Sequence, residues 1–127
     1  MTTNKVIQTV LAPQAVGPYS QAIRAEGLVF VSGQIPLDPG SGELIEGDIA
    51  AQTRQCIRNI QAILEVANSS LAQIVKTTVF LADINDFAAM NAAYAEFFPN
   101  DPPARSAFQV AALPKGARIE IEAVAAL

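Results

Sequence analysis

Three charged residues near the end of the chain are the first candidates for chemistry. Arg105 lies in the run ARSAFQV, and Glu120 and Glu122 lie in the run ARIEIEAVA. Both runs have the apolar pattern of β-strands, where a charge is costly to bury unless it is paired. Two explanations are open: a structural ion pair, or an arginine that receives a ligand carboxylate through its planar, bidentate guanidinium. Glu122 is expected to be a structural partner of Arg118 or Lys115.

The residue types that the chain lacks narrow the chemistry. Its 127 residues include no histidine and a single cysteine, Cys56. A Ser-His-Asp triad, a histidine general base, and zinc sites built on histidine or several thiolates are therefore excluded, and no metal site is predicted. Cys56 lies on the apolar side of a predicted helix, so we expect it to be a core residue.

Composition and charge limit the partners. The net charge is −4, 51% of the residues are hydrophobic and 16% are charged. No basic stripe favours nucleic-acid binding, no apolar run approaches a membrane span, and no signal peptide is recognisable. A chain that cannot form an internal disulfide suits a reducing compartment, so we expect a cytoplasmic protein. The high apolar fraction predicts a buried contact between subunits.

Turn signals and β-branched runs predict six strands. The residues Glu26 and Gly27 between two apolar runs are typical of a hairpin turn. The predicted strands are residues 5–10, two strands that meet at Glu26–Gly27, residues 74–82, residues 104–110 and residues 117–125.

Two helices are predicted between these strands. From Asp48, a plausible N-cap, to Ala67, apolar residues recur at helical spacing over about five turns, opposite a polar face. A second helix is expected to begin after Asp83 or Asn85, and Pro99 stops it. Its inner face includes Tyr94, which is expected to pack on the sheet, and Asn91 lies on the same helix.

The order of the elements predicts a single α+β domain over residues 1–127, with a mixed six-stranded sheet and two helices on one face. The other face of the sheet would be uncovered although several strands are apolar on both sides. We therefore predict that this face meets another copy of the protein. Because side chains alternate along a strand, Glu120 lies on that face, and Arg105 joins it if Phe108 packs under the helices.

Four segments carry a resemblance to a known family: GPYSQA (17–22), VFVSGQIPLDPGSGEL (29–44), VKTTVFLADINDFAAMNAAYAEFF (75–98) and ARSAFQVAALPKGARIEIEAVA (104–125). Together they resemble the RidA, or YjgF, family. The resemblance implies a chorismate-mutase-like fold and a homotrimer with inward-facing sheets and three clefts between subunits. It also implies hydrolysis of reactive enamines and imines, notably 2-aminoacrylate, to 2-keto acids and ammonia, without a cofactor.

The resemblance also implies roles for single residues. Arg105 matches the arginine that binds the substrate carboxylate, and Glu120 matches the glutamate associated with the hydrolytic water. Tyr19 matches a tyrosine that lines the cleft, and Ser32 and Gly33 match a segment whose backbone approaches the ligand. The residues alone leave other interpretations open. The tyrosine would then be a loop aromatic that fills an interface, the serine a satisfied strand-end hydroxyl, and the glycine a bulge or turn residue.

Ala107 departs from the family pattern. Many relatives carry cysteine at this position, two residues after the arginine. We expect the missing thiol to affect the shape of the pocket, the ligand preference or the sensitivity to oxidants. The backbone N–H of this residue is kept, so a role of the amide would not be lost. The departure bears on which substrate is preferred more than on the class of reaction.

Two further functions remain open. The same cleft would serve a non-catalytic protein that binds or senses a small carboxylate, such as a 2-keto acid. Some relatives are described as nucleases or translation inhibitors, but the acidic charge and the missing histidine disfavour that activity here.

Overall fold

The computed structural model of the protein describes residues 5–127, so residues 1–4 of the predicted domain lie outside the description. The strands are β1 (Val6–Ile7), β2 (Ala22–Ala25), β3 (Leu28–Gln34), β4 (Ile74–Leu81), β5 (Ala104–Gln109) and β6 (Ile119–Ala126), and the helices are α1 (Ile49–Val66) and α2 (Phe87–Ala95). The strands form one sheet in the order β1-β2-β3-β6-β4-β5. Strands β4 and β5 run parallel, and the other neighbours are antiparallel. The predicted α+β fold with a mixed six-stranded sheet is confirmed.

The hairpin is confirmed, but the first strand is shorter than predicted. Glu26 and Gly27 join β2 to β3 with φ angles of 52° and 76°, the left-handed geometry that tight hairpins use. The predicted strand over 5–10 is wrong in length, because only its second and third residues pair with β2. After these two residues, the backbone bonds to the side chain of Gln21 instead of to a strand. That side chain accepts from the N–H of Thr9 at 2.7 Å and donates to the carbonyl of Pro13 at 2.8 Å.

Both predicted helices form, but only the predicted cap of the first is confirmed: the N-cap position of α2 is Asp86, not Asp83 or Asn85. Asp48 accepts a hydrogen bond from the N–H of Ala51 at 2.9 Å, which confirms it as the N-cap of α1. Asn68 ends that helix with φ 62°. Asp83 caps the short 3-10 turn Ile84–Asp86 that leads into α2, rather than α2 itself. No helix within residues 5–127 combines the length and the apolar composition needed to cross a membrane.

Both helices pack on one face of the sheet, here called the helix face. Ile119 and Ile121 of β6 are 0% exposed on that face, as the alternation of side chains predicts. The opposite face, here called the open face, has no helix over it in the described chain. Phe30 and Phe108 remain 44% and 45% exposed there. The rings of Phe80 and Phe108 meet edge to face, with their centres 5.5 Å apart.

Candidate functional site

Arg105 lies on the helix face, which corrects the prediction from alternation. Its register partner in the neighbouring strand β4 is Thr77, which is 1% exposed and faces α2. Phe108 pairs instead with Phe80 on the open face, so the expectation that it packs under the helices is wrong. The physical reason is that β5 is an edge strand. Its aromatic side chain finds a ring partner on the open face, and its arginine finds aromatic rings on α2.

The side chains of helix α2 that contact Arg105 are neutral. The Nη1 atom donates to the Oδ1 atom of Asn91 at 2.7 Å. The guanidinium carbon lies 4.9 Å from the ring centre of Tyr94 and 5.5 Å from that of Phe87. Within residues 5–127 no carboxylate lies within 4.0 Å of the guanidinium. A structural ion pair within the chain therefore does not explain Arg105.

Tyr94 is a fixed support for the guanidinium. Its hydroxyl shares a hydrogen bond of 2.7 Å with the hydroxyl of Thr77, which confirms that it packs on the sheet. Burial raises the pKa of Tyr94, against the smaller lowering effects of Thr77 and Arg105. The phenol therefore stays neutral. Ala107 follows on the same face and is partly buried against the core.

The other predicted site residues meet around a separate cavity, here called the glutamate cavity. Its volume is about 490 Å³. Arg105 and Ala107 are not among its lining residues, so within one chain the structure brings four of the six predicted site residues together. The lining residues are Pro13, Gln14, Val16, Tyr19, Gln21, Ser32, Gly33, Gln34, Ile35, Leu37, Pro114, Lys115, Glu120 and Glu122.

Gly33 gives the carboxylate of Glu120 its place in this cavity. The pairing of β3 with β6 shifts register between Val31 and Gln34, so Gly33 lies in a break of the regular pairing, in keeping with its interpretation as a bulge or turn residue. A Cβ atom on Gly33 would overlap the Oε2 atom of Glu120 and come within 2.8 Å of its Cδ atom. Only glycine therefore lets the carboxylate lie against the backbone of β3.

Ser32 connects this bulge to the loop that carries Tyr19. Its hydroxyl donates to the carbonyl of Ser20 at 2.6 Å, so it is satisfied as a strand-end hydroxyl. Tyr19 itself is 51% exposed on the rim of the cavity. The hydroxyl therefore fixes the cavity wall next to the tyrosine.

The environment of Glu120 favours its protonated form. Partial burial raises the pKa of this carboxyl, and the nearby charge of Glu122 raises it further. A carboxyl of this kind keeps its proton to a higher pH than an exposed one. It can accordingly exchange protons closer to neutrality.

Glu120→Gln is expected to stabilise the protein at neutral pH while leaving its stability at pH 4 nearly unchanged. The folded protein holds the proton of Glu120 to a higher pH than the unfolded chain does. The wild-type free energy of unfolding therefore falls as the pH rises from the ordinary pKa of 4.5 through the raised folded-state pKa. Glutamine does not ionise and lacks this fall. Urea unfolding between pH 4 and pH 8, at one protein concentration, measures the difference.

The matched control for this measurement is Glu65→Gln, the same chemical change at an exposed position of α1. If Glu65→Gln raised the free energy of unfolding with pH as much as Glu120→Gln does, the effect could not be assigned to the surroundings of Glu120. A Glu120→Gln protein whose stability falls with pH as steeply as that of the wild type would contradict the raised pKa itself.

Arg118 and Lys115 have other partners than predicted. Arg118 pairs with Asp86 at 3.0 Å. Lys115, in a turn with φ 58°, donates weakly to the carbonyl of Gly42 at 3.4 Å. The prediction that Glu122 pairs with either of them is therefore wrong. Within residues 5–127, no group of three or more acids or cysteines is arranged to hold a metal ion.

Three residues that orient the site were not predicted as site residues from the sequence. Gln21 is 4% exposed and organises the loop before Tyr19, and Asn91 and Phe87 contact Arg105. A signal for the α2 cluster was present: Phe87, Asn91 and Tyr94 follow each other at spacings of four and three, which put them on one side of the helix. Cys56 is 0% exposed, as expected of a core residue, and burial raises the pKa of its thiol.

Comparison with known proteins places this geometry in a family. The family model described as Endoribonuclease L-PSP matches residues 9–127. The human 2-iminobutanoate/2-iminopropanoate deaminase is 52% identical over 121 residues, which are 95% of this chain and 88% of the human protein.

Solved structures agree with the sequence comparison. The YjgF gene product of E. coli has a TM-score of 0.92 at 48% identity, over 97% of this chain and 98% of that one. TdcF of E. coli, solved with bound serine, has a TM-score of 0.93 at 44% identity, over 98% and 99% of the two chains. A full-length family match and identities near one half leave one conclusion: the chain belongs to the RidA/YjgF/L-PSP family.

Proposed function

We propose that this protein hydrolyses 2-imino acids, formed from reactive enamines such as 2-aminoacrylate, to 2-keto acids and ammonia. Water adds to the carbon of the C=N bond, and the resulting carbinolamine expels ammonia, so one water is consumed per turnover. One observation carries the proposal: the partly buried cation Arg105 is held by neutral groups and has no carboxylate partner in residues 5–127. An imino acid brings the missing carboxylate, and the name of the human relative supports that class of substrate.

Arg105 acts in this proposal as the carboxylate clamp. A guanidinium offers five N–H donors in a planar fork, and Asn91 takes one of them. Each hydrogen bond from such a cation to a carboxylate contributes roughly 1.5–3 kcal/mol. Two such bonds fix the carboxylate and, through the attached carbon, the orientation of the imine toward an attacking water.

The edge position of β5 supplies a second donor for the substrate. Backbone N–H groups alternate sides along a strand, and the N–H of Val110 donates to the carbonyl of Leu81 in β4 at 2.9 Å. The N–H of Ala107, three residues earlier, accordingly points to the free edge of the sheet. We assign to this amide a contact with the bound substrate, which needs no thiol on the side chain.

Glu120 acts on the water side. It orients the hydrolytic water and moves protons, first from that water and then to the departing amine. A raised pKa suits a carboxyl that has to accept and then release a proton. Imino acids already hydrolyse in water without an enzyme, so positioning supplies much of the acceleration that the reaction needs.

The proposal includes a homotrimer with the active site between subunits. Arg105 lies on the helix face of β5, Glu120 lies on the open face of β6, and β4 separates the two strands. A site that uses both groups is difficult to assemble within one chain. The exposed aromatic side chains of Phe30 and Phe108 favour a neighbour over the open face. Three head-to-tail contacts around a ring then give three identical sites, each with residues from two chains.

The test of the function is an assay coupled to an enzyme that releases the imine. Purified protein is mixed with a pyridoxal-phosphate-dependent serine or threonine dehydratase, and 2-keto acid and ammonia are followed over the uncatalysed rate. We expect acceleration in proportion to the concentration of the protein. A rate equal to that of the dehydratase alone, with protein in excess, would refute the proposed activity.

A second candidate function is non-catalytic binding of a small carboxylate. The observation that favours it is that TdcF, a relative of the same fold, was solved with bound serine. A binder would gain thermal stability with 2-keto acids and leave the coupled rate unchanged. The charge of the protein disfavours the ribonuclease activity that the description of the family model names. The chain carries a net charge of −4, and two glutamates line the cavity.

A further inference from the structure

Asn91 is the one polar side chain that holds the guanidinium of Arg105 within residues 5–127. Its Oδ1 atom accepts from Nη1 at 2.7 Å, a short distance for such a bond. Phe87 and Tyr94 stand four residues before and three residues after it, so the three side chains extend from one side of α2. Their contacts with the guanidinium are an amide oxygen and two ring faces, and none of them carries a charge.

We infer that Asn91 is a positioning residue, a neutral acceptor that orients Arg105 without neutralising it and so preserves its charge for the substrate carboxylate. This inference rests on the proposed function. An ideal structural partner for a partly buried arginine would be an aspartate of the same shape, which forms a stronger bond. The amide at this position holds one N–H group in place and leaves the positive charge and the other donors available.

The choice between amide and carboxylate makes the inference testable, because the two side chains differ by one charge and almost no volume. Asn91→Asp keeps an acceptor in the same place and adds a competing anion. A purely structural role predicts that this variant is as stable as the wild type or more stable, with unchanged substrate binding. A positioning role predicts that it folds well and binds carboxylates poorly.

The experiment compares Asn91→Asp, Asn91→Ala and the control Ala92→Asp, which adds the same charge at the next exposed position of α2. The dissociation constant of 2-oxobutanoate is measured by calorimetry, and kcat, KM and the melting temperature are measured beside it. We expect Asn91→Asp to raise the dissociation constant and KM by about 10- to 100-fold, Asn91→Ala by about 3- to 10-fold, and Ala92→Asp by less than about 2-fold. The loss falls mainly on KM, because the carboxylate contact is made both before and during the reaction.

An Asn91→Asp protein that binds 2-oxobutanoate as tightly as the wild type would overturn the inference. So would variants that lose melting temperature but keep their dissociation constants, since Asn91 would then be structural only. If Asn91→Asp fails to fold, Asn91→Ala decides the same question through its own dissociation constant. Equilibrium binding of the keto acid also separates this inference from the proposed function. A wild type that binds 2-oxobutanoate but accelerates nothing refutes the deaminase and leaves the ranking of the variants as the test of Asn91.

Discussion

Arg105→Ala is expected to lower kcat/KM for imine hydrolysis by about 100-fold or more, because it removes two charge-assisted hydrogen bonds to the substrate carboxylate. Arg105→Lys keeps the charge but loses the planar fork, so an intermediate loss is expected. The measurement is the dehydratase-coupled rate over a range of substrate concentrations, with the state of assembly checked by light scattering. Full activity in Arg105→Ala would refute the clamp.

Arg54→Ala is the matched control for this variant. Arg54 pairs with Glu96 at 2.9 Å on the surface of the helix layer, so its removal deletes the same charge at a site that we assign no catalytic role. An exposed pair of this kind contributes little to stability. We therefore expect kcat/KM of Arg54→Ala to stay within about 2-fold of the wild type. A large loss of activity in Arg54→Ala would indicate that net charge, rather than contact at Arg105, governs the rate.

The helix layer and the hairpin were predictable because local physics determines them. Asp48 caps α1, and the buried positions of that helix recur at helical spacing as the sequence indicates. The turn at Glu26–Gly27 needs two residues with left-handed φ angles, and Glu26 and Gly27 adopt them at 52° and 76°. In both cases the deciding interactions lie within a few residues along the chain.

The position of Arg105 was not predictable by the same means. Alternation gives two possible faces for β5, and the choice between them rested on the assumption that Phe108 belongs to the core. On this edge strand the aromatic ring packs against Phe80 on the open face. The guanidinium packs against rings of α2. Which face each side chain takes depends on tertiary partners far along the chain, and a strand pattern contains no information about them.

The candidate site also shows where function competes with stability. Glu120 lies against Gly33 in surroundings that raise its pKa, so its charge costs stability at neutral pH. Arg105 likewise lacks the acid that would stabilise it best within residues 5–127. Both costs are understandable if a substrate and a water complete the site. The sequence resemblance indicated these two residues, but their separation onto opposite faces of the sheet emerges only from the register of β4 with its neighbours.

Glu120→Gln, which cannot transfer protons to and from the water, is expected to be nearly inactive, as is Arg105→Ala. Mixing the two variants is expected to restore activity if each site combines Arg105 of one chain with Glu120 of the next. Arg105→Ala and Glu120→Gln chains are unfolded together in equal amounts, refolded and assayed against each variant alone. A site works when an intact arginine meets an intact glutamate across a contact. In randomly assembled trimers this holds for about a quarter of the sites, so about a quarter of the wild-type rate should return.

A second mixture, of wild-type chains with chains that carry both substitutions, separates shared sites from sites within one chain. If both residues act within one chain, half of the chains are intact and about half of the wild-type rate remains, whereas a shared site needs two intact neighbours and leaves about a quarter. The two mixtures together also control for an effect of refolding itself, because such an effect would change the measured rates of both mixtures in the same way. No recovery in the first mixture combined with half activity in the second would refute the composite site and, with it, the role of the open face as the contact that completes the enzyme.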